Sequence, residues 1–380
     1  MHPAILLTAT ALTAAAHPTA NPSKICQDYT IPLTITSNNL AFGLPKFQNN
    51  FDVADFVDTI TSRNALTAAS VIAPNRQTLT ANYSISATFC KPAIPPKNHK
   101  HTVLIATHGL NFDRSYWDPA LPKPTYSFVD WAVGNGYSIL YYDRLGVGKS
   151  SQVSGYVAQL ANQVAVATEL TKLVKQGEYV AGLGKPDAVV LVGHSFGSHV
   201  SLATVAESPD LVDGVVLTGF SLNATWLNLN GFIGAVGLRV ASGQDAGKWG
   251  GLDTGYLTPV DLYANVGSFF KAPDYSHEVA MYADAVKTPF AVTELLDDDN
   301  VPSPPFAFKG AAMIISGKYD FIFCTSDCDD VLENPGRQAF ANARAFKAVS
   351  YPGAGHGLNL HLNAAGSFKE ITDFLGENGL

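Results

Sequence analysis

The sequence predicts an α/β fold: a mostly parallel central sheet flanked by helices, with an inserted helical cap. Three observations carry this expectation. Short apolar runs recur at Thr102–Thr107, Tyr137–Tyr142, Ala188–Val192, Val215–Thr218 and Ala311–Ile315, and their near-continuous hydrophobicity suits strands buried on both faces of a parallel sheet. Between the second and third runs, Tyr156–Leu173 carries apolar residues at helical spacing, which gives the strand–helix alternation of α/β domains. From about Leu222 to Lys309 the strand-like runs stop and Gly, Pro and aromatics accumulate. A structureless loop of that length does not fit a folded domain, so the stretch must carry its own, mainly helical, structure.

Taken in order, residues 1–20 are expected to be a secretory leader. The first charged residue is Lys24, and Ala4–Ala16 is an alanine-rich apolar run of h-region length with small residues at Ala14 and Ala16. Residues 21–79 form an N-terminal arm, 80–221 the first part of the core, 222–309 the cap and 310–380 the second part of the core. Within the first part, Asn82–Phe89 alternates Tyr83, Ile85, Ala87 and Phe89 with polar residues, as a half-buried antiparallel strand does. Most cap aromatics, among them Trp226, Phe232, Trp249, Tyr256 and Phe269, are expected to pack on the core, and together they suit an apolar pocket roof. A strand at Phe346–Tyr351 and a helix at Ala364–Leu375 close the chain.

Composition narrows the function. With 47% hydrophobic and 15% charged residues, the 380-residue chain is a folded protein with a large core. A formal charge of −8 with no Lys/Arg cluster argues against a nucleic-acid surface. Beyond the leader no 18-residue apolar stretch remains to span a bilayer. The even cysteine count suggests two disulfides in a secreted protein. Cys324 and Cys328 are close enough to bridge locally, which leaves Cys26 with Cys90. Two cysteines without neighbouring histidines cannot complete a zinc site, so no metal is expected. Asn82-Tyr83-Ser84 and Asn223-Ala224-Thr225 are N-glycosylation acceptors in keeping with secretion.

Chemistry concentrates at Gly193-His194-Ser195-Phe196-Gly197, which follows the apolar run Ala188–Val192 and precedes the helix-like Ser198–Ala203. Strand, sharp turn and helix are the context in which G-x-S-x-G forms a nucleophile elbow. Gly193 and Gly197 let strand and helix approach closely around a strained Ser195. A serine hydroxyl needs an adjacent base, itself oriented by a third group. His356, in Pro352-Gly353-Ala354-Gly355-His356-Gly357, has glycines on both sides that let its loop turn over the sheet edge. His361 lacks that setting and is expected to cap or pack, and His108, His194 and His199 have other local roles. For the acid, Asp320 ends the segment that begins with the strand at Ala311. The position one strand earlier, Phe220-Ser221-Leu222-Asn223, offers no carboxylate, and Asp327, Asp329 and Asp330 read as solvated. Oxyanion donors are assigned to the N–H groups of Phe196 and Leu110, the latter in the His108-Gly109-Leu110-Asn111 loop, with Asn111 as the alternative.

On these residues the chain resembles the α/β-hydrolase superfamily, in its cap-bearing form with an H-G loop. Asp143-Arg144-Leu145-Gly146-Val147-Gly148-Lys149-Ser150 is similar to that family's D-x-R-G-x-G-x-S turn, with the Arg immediately after the Asp, and the resemblance implies a structural role for it. The leader, the cysteine placement and the His356–His361 segment also resemble secreted fungal members. The resemblance implies a cofactor-free serine hydrolase acting on an ester, lactone or thioester, with a small-molecule acyl substrate. Relatives that are haloalkane dehalogenases or epoxide hydrolases use Asp at the elbow, so Ser195 excludes those chemistries. The same triad serves hydroxynitrile lyases, perhydrolases and acyltransferases, which stay open here together with a non-catalytic binding protein on the same scaffold.

Overall fold

Two long antiparallel strands open the structure, a computed structural model that describes residues 24–62, 72–94, 100–121, 125–296 and 302–380. The leader expected at residues 1–20 lies outside them. Strand β1 (Lys24–Phe42) and strand β2 (Ile72–Pro92) pair from Lys24↔Pro92 to Phe42↔Ile72, with helix α1 (Asn50–Thr61) between them. Period-two alternation makes β1: Ile31, Leu33 and Ile35 are buried while Pro32, Thr34 and Thr36 are exposed. β1 is an edge strand, where a proline's missing N–H is tolerated. The Cys26–Cys90 disulfide joins directly paired residues of the two strands.

The core then alternates: β3 (Thr102–Thr107), α2 (Phe128–Gly134), β4 (Ser138–Tyr142), α3 (Leu160–Gln176), β5 (Ala188–His194), α4 (Phe196–Glu207) and β6 (Gly214–Thr218). An inserted segment follows, with α5 (Leu229–Val236), β7 (Arg239–Val240), α6 (Ala241–Gln244), α7 (Ala246–Trp249), β8 (Tyr256–Thr258), α8 (Leu262–Phe269), α9 (His277–Ala285) and β9 (Phe290–Ala291). The chain returns as β10 (Ala311–Gly317), α10 (Phe321–Cys324), α11 (Glu333–Ala339), β11 (Ala345–Tyr351) and α12 (Ala364–Glu377). The main sheet runs β1-β2-β4-β3-β5-β6-β10-β11; its first two pairings are antiparallel and the rest parallel.

Each apolar run becomes a strand buried along its whole length, and its residues feed two cores in alternation. Leu104 and Ala106 of β3, Val190 and Val192 of β5, and Met313 and Ile315 of β10 join one core. Val103 and Ile105, Val189 and Leu191, and Ala312 and Ile314 join the other. Helices α2 and α12 cover the first core, with the Phe128 and Phe368 rings 5.3 Å apart. Leu170, Val174, Leu202 and Val205 of α3 and α4 fill the second.

Three local features differ from expectation. The 156–173 helix starts later, at Leu160, and Tyr156 instead reaches the arm, where its hydroxyl oxygen accepts the Phe47 N–H at 2.7 Å. Strand β2 is exposed over Asn75–Thr80 and alternates only over Ala81–Ser84; from Ile85 to Phe89 it is buried on both faces, with β4 paired beside its end. The inserted segment is helical, as expected, but also carries a small antiparallel sheet, β7-β8-β9, built from two- and three-residue strands too short to show a period. Among the described residues no helix is long and apolar enough to cross a membrane.

Candidate active site

Strand β5 runs into the elbow and α4 begins immediately after Ser195, whose backbone sits at φ 55°, ψ −121°. A non-glycine residue with positive φ is strained and persists only when its surroundings hold it. They do so here: the Ser195 N–H donates to Thr218 O at 2.9 Å, and Ser195 O accepts from the Ser198 N–H at 2.8 Å. A Cβ on Gly193 would collide with the Gly197 carbonyl, and one on Gly197 with the Thr107 carbonyl, so both glycines are required by close approach. Gly109 is equally close, because a Cβ there would lie 2.8 Å from Ser195 Cβ.

His356 and Asp320 meet beside the elbow, with the His356 ring 5.0 Å from that of His194. Both side chains are fully buried, with His356 Nδ1 2.8 Å from Asp320 Oδ2. Asp320 Oδ1 accepts from the Ile322 and Phe323 N–H groups, each at 2.9 Å, as the N-cap of α10. With Nδ1–H donating to the carboxylate, Nε2 is left as the free base nitrogen, and it has no hydrogen-bond partner among the described residues. The Phe323 ring stacks on the imidazole at 5.8 Å, and Phe269 and His194 lie 5.6 and 5.0 Å away. Sequence reasoning missed this aromatic clamp; Phe321-Ile322-Phe323 directly after Asp320 was the available signal.

His361 holds the loop that carries His356. Its Nδ1–H donates to Gly357 O at 2.9 Å, and its Nε2 accepts from the N–H groups of Gly355 (2.9 Å) and Lys271 (3.1 Å). It therefore ties both neighbours of His356 to the inserted segment through hydrogen bonds, a capping role within the expectation that it caps or packs. Burial pulls the His361 imidazole down from 6.5 to about 4, against smaller upward effects of the Gly357 hydrogen bond and Asp274. The folded ring thus stays neutral where the unfolded ring takes a proton. Its stabilisation is complete above about pH 6.5 and is lost as pH falls toward 4, a difference of about 3 kcal/mol. The melting temperature of the wild type should fall across that window, and more steeply than that of His361→Asn, which cannot titrate. Parallel slopes would refute the assignment.

Ser195, Phe196 and Leu110 line one cavity of about 480 Å³, within the range of small-molecule sites. Its walls are mostly apolar: Phe220, Ile322 and Phe323 come from the core, and Leu229, Phe232 and Phe269 from the inserted segment. Of the cap aromatics, Phe232 and Phe269 reach the cavity; Tyr256 is buried elsewhere, and Trp226 and Tyr263 are exposed. The N–H groups of Leu110 and Phe196 have no partner among the described residues. The side chain of Asn111, the alternative donor, is engaged elsewhere, its amide donating to Asn265 Oδ1 at 3.1 Å. Asn223, one glycosylation candidate, lies at the cavity and accepts the Thr225 N–H; the other, Asn82, is exposed on β2. Both expected disulfides form, and Cys324–Cys328 closes the loop after Asp320.

Comparison with known proteins agrees with this architecture. Residues 103–366 match the Alpha/beta hydrolase family, and the chain belongs to it. An esterase from Thermogutta terrifontis is similar in structure at 16% identity, covering 78% of this chain and 95% of that one with a TM-score of 0.51. A bromoperoxidase from Bacillus anthracis is similar at 20% identity, with 77% and 96% covered and a TM-score of 0.51. A monoacylglycerol lipase from Paleococcus ferrophilus is similar at 14% identity, with 77% and 99% covered and a TM-score of 0.51. At these identities the likeness is one of fold. No curated protein matches the chain by sequence.

Proposed function

We propose that the chain is a secreted serine hydrolase that cleaves a carboxylic ester, lactone or thioester of a hydrophobic small molecule or lipid. The observation that carries this reading is a strained Ser195 lining an apolar cavity, with the ring of the buried, Asp320-bonded His356 5.0 Å from that of the adjacent His194. In this reading Ser195 Oγ attacks the carbonyl carbon while His356 Nε2 takes its proton, and Asp320 stabilises the imidazolium. The N–H groups of Leu110 and Phe196 receive the oxyanion. His356 then protonates the departing alkoxide or thiolate, and a water molecule that it activates releases the acid. No cofactor takes part.

The cavity lining supports an uncharged acyl or alcohol group. Among its described lining residues the one carboxylate, Glu294, is paired with Arg144, and most of the other side chains are apolar. Two disulfides favour an oxidising compartment and so support secretion. The segment 222–309 acts as the cap that supplies the outer wall.

A fluorophosphonate probe tests the reading directly. Folded wild type should be labelled and Ser195→Ala should not, and turnover of a graded ester, lactone, thioester and amide panel should then favour apolar acyl chains. Absence of labelling in folded wild type would instead indicate a binding protein on the same scaffold.

A further inference from the structure

Arg144 is fully buried, although the proposed reaction gives it no part. It follows β4, and its guanidinium is paired with Glu294, which also accepts from Gln163 Nε2 at 3.0 Å and from the Ala291 N–H at 3.3 Å. Its placement is what matters. The guanidinium carbon lies 4.8 Å from the Phe196 ring centroid, and Nη2 donates to Gly109 O at 3.4 Å. A second donor meets the same carbonyl: His108 Nδ1–H, at 2.9 Å, while His108 Nε2 accepts the Arg144 backbone N–H at 3.0 Å.

Gly109 O and the Leu110 N–H are the two ends of one planar peptide, so anchoring the carbonyl on one side aims the N–H to the other. That other side is the cavity, where Leu110 and Ser195 stand. A cationic donor on the carbonyl also polarises the peptide and strengthens its N–H as a donor. Glu294, from the inserted segment, keeps the guanidinium in this orientation and balances its charge.

We propose that Arg144, held by Glu294, is a positioning residue that sets the direction and donor strength of the Gly109–Leu110 peptide in the oxyanion hole. The inference rests on the serine-hydrolase reading of Ser195. It makes the buried pair a link through which the inserted segment supports the hole, rather than only a structural lock.

Two variants test it. R144M/E294Q removes both charges, so that neither is stranded, and its single amide oxygen keeps an acceptor for one of the two donors, Gln163 Nε2 and the Ala291 N–H, that bond separate oxygens of Glu294. R144K keeps the ion pair, but a point-like ammonium cannot serve Glu294 and Gly109 O together. The readouts are kcat and KM for p-nitrophenyl butyrate, melting temperature, and affinity for butaneboronic acid, whose tetrahedral serine adduct places an oxygen in the hole. Each folded variant should lose about 10- to 100-fold in kcat, less than removal of a whole donor, with KM changed less than about threefold. Boronic acid affinity should fall by a similar factor.

Wild-type kcat in a folded variant, or a lowered kcat with unchanged boronic acid affinity, overturns the proposal. If R144M/E294Q does not fold, R144K, which retains the buried charge balance, decides by the same readouts. A wild type that no fluorophosphonate labels overturns the hydrolase reading itself. A labelled wild type with unaffected variants overturns only the role of Arg144.

Discussion

Ser195→Ala is expected to lower kcat for a p-nitrophenyl ester by about 10⁶-fold and to leave the melting temperature nearly unchanged. The catalytic half follows from the elbow. Ser195 is the residue held in the strained position at the end of β5, packed against Gly109. The stability half follows from what Ser195 does for the fold, which is carried by its backbone. Its side chain makes no capping hydrogen bond, whereas its N–H and C=O tie β6 and α4 together, and alanine keeps both. Alanine is as strained at φ 55° as serine, so no backbone gain offsets the change. Kinetics on the folded variant alongside a thermal melt separate the two halves. Activity within about tenfold of wild type would remove Ser195 as nucleophile.

How much of this was legible in the sequence depends on whether local chemistry or distant packing decides. The elbow is legible because its glycines answer a local steric demand, and the parallel strands are legible because burial on both faces leaves an unbroken apolar run. Asp320 is readable as a candidate because it stands in the turn after the strand that begins at Ala311, while Phe220-Ser221-Leu222-Asn223 one strand earlier offers no carboxylate. β1 is partly legible: Thr30-Ile31-Pro32-Leu33-Thr34-Ile35 alternates cleanly, but Pro32 argues against a strand unless the strand is an edge. The Arg144–Glu294 pair is a different case. The two residues are 150 apart in sequence and belong to different parts of the chain. The available hint was a lone acid in the apolar stretch Phe290–Leu296, which does not name its partner. His361 was separable from His356 by its neighbours alone, since the glycines flank His356.

Asp320→Asn is expected to lower kcat at neutral pH by about 10⁴-fold with KM little changed, and the hydrogen bonds around the carboxylate explain why so conservative a change costs so much. Asp320 Oδ1 is committed to two backbone donors, Ile322 and Phe323. An asparagine must therefore place its carbonyl oxygen there, because its NH₂ would face two N–H groups. The NH₂ is then directed at His356 Nδ1, where Oδ2 stood at 2.8 Å. Facing a donor, Nδ1 must accept, and the imidazole proton moves to Nε2. The nitrogen that should take the serine proton then already carries one. The clamp of Phe323, Phe269 and His194 around the ring opposes a flip that would restore the base. Burial contributes in the same direction, since neither side chain reaches water that could mediate a different pairing. Because asparagine is isosteric and neutral, the variant should fold and Ser195 should remain accessible. The measurement is therefore a pre-steady-state acylation rate on the folded variant, compared with Asp320→Ala, which removes the carboxylate without supplying a donor. If Asp320→Asn is no slower than Asp320→Ala, the loss is one of missing charge rather than of the wrong tautomer; if it keeps wild-type acylation, His356 is not oriented by Asp320 at all.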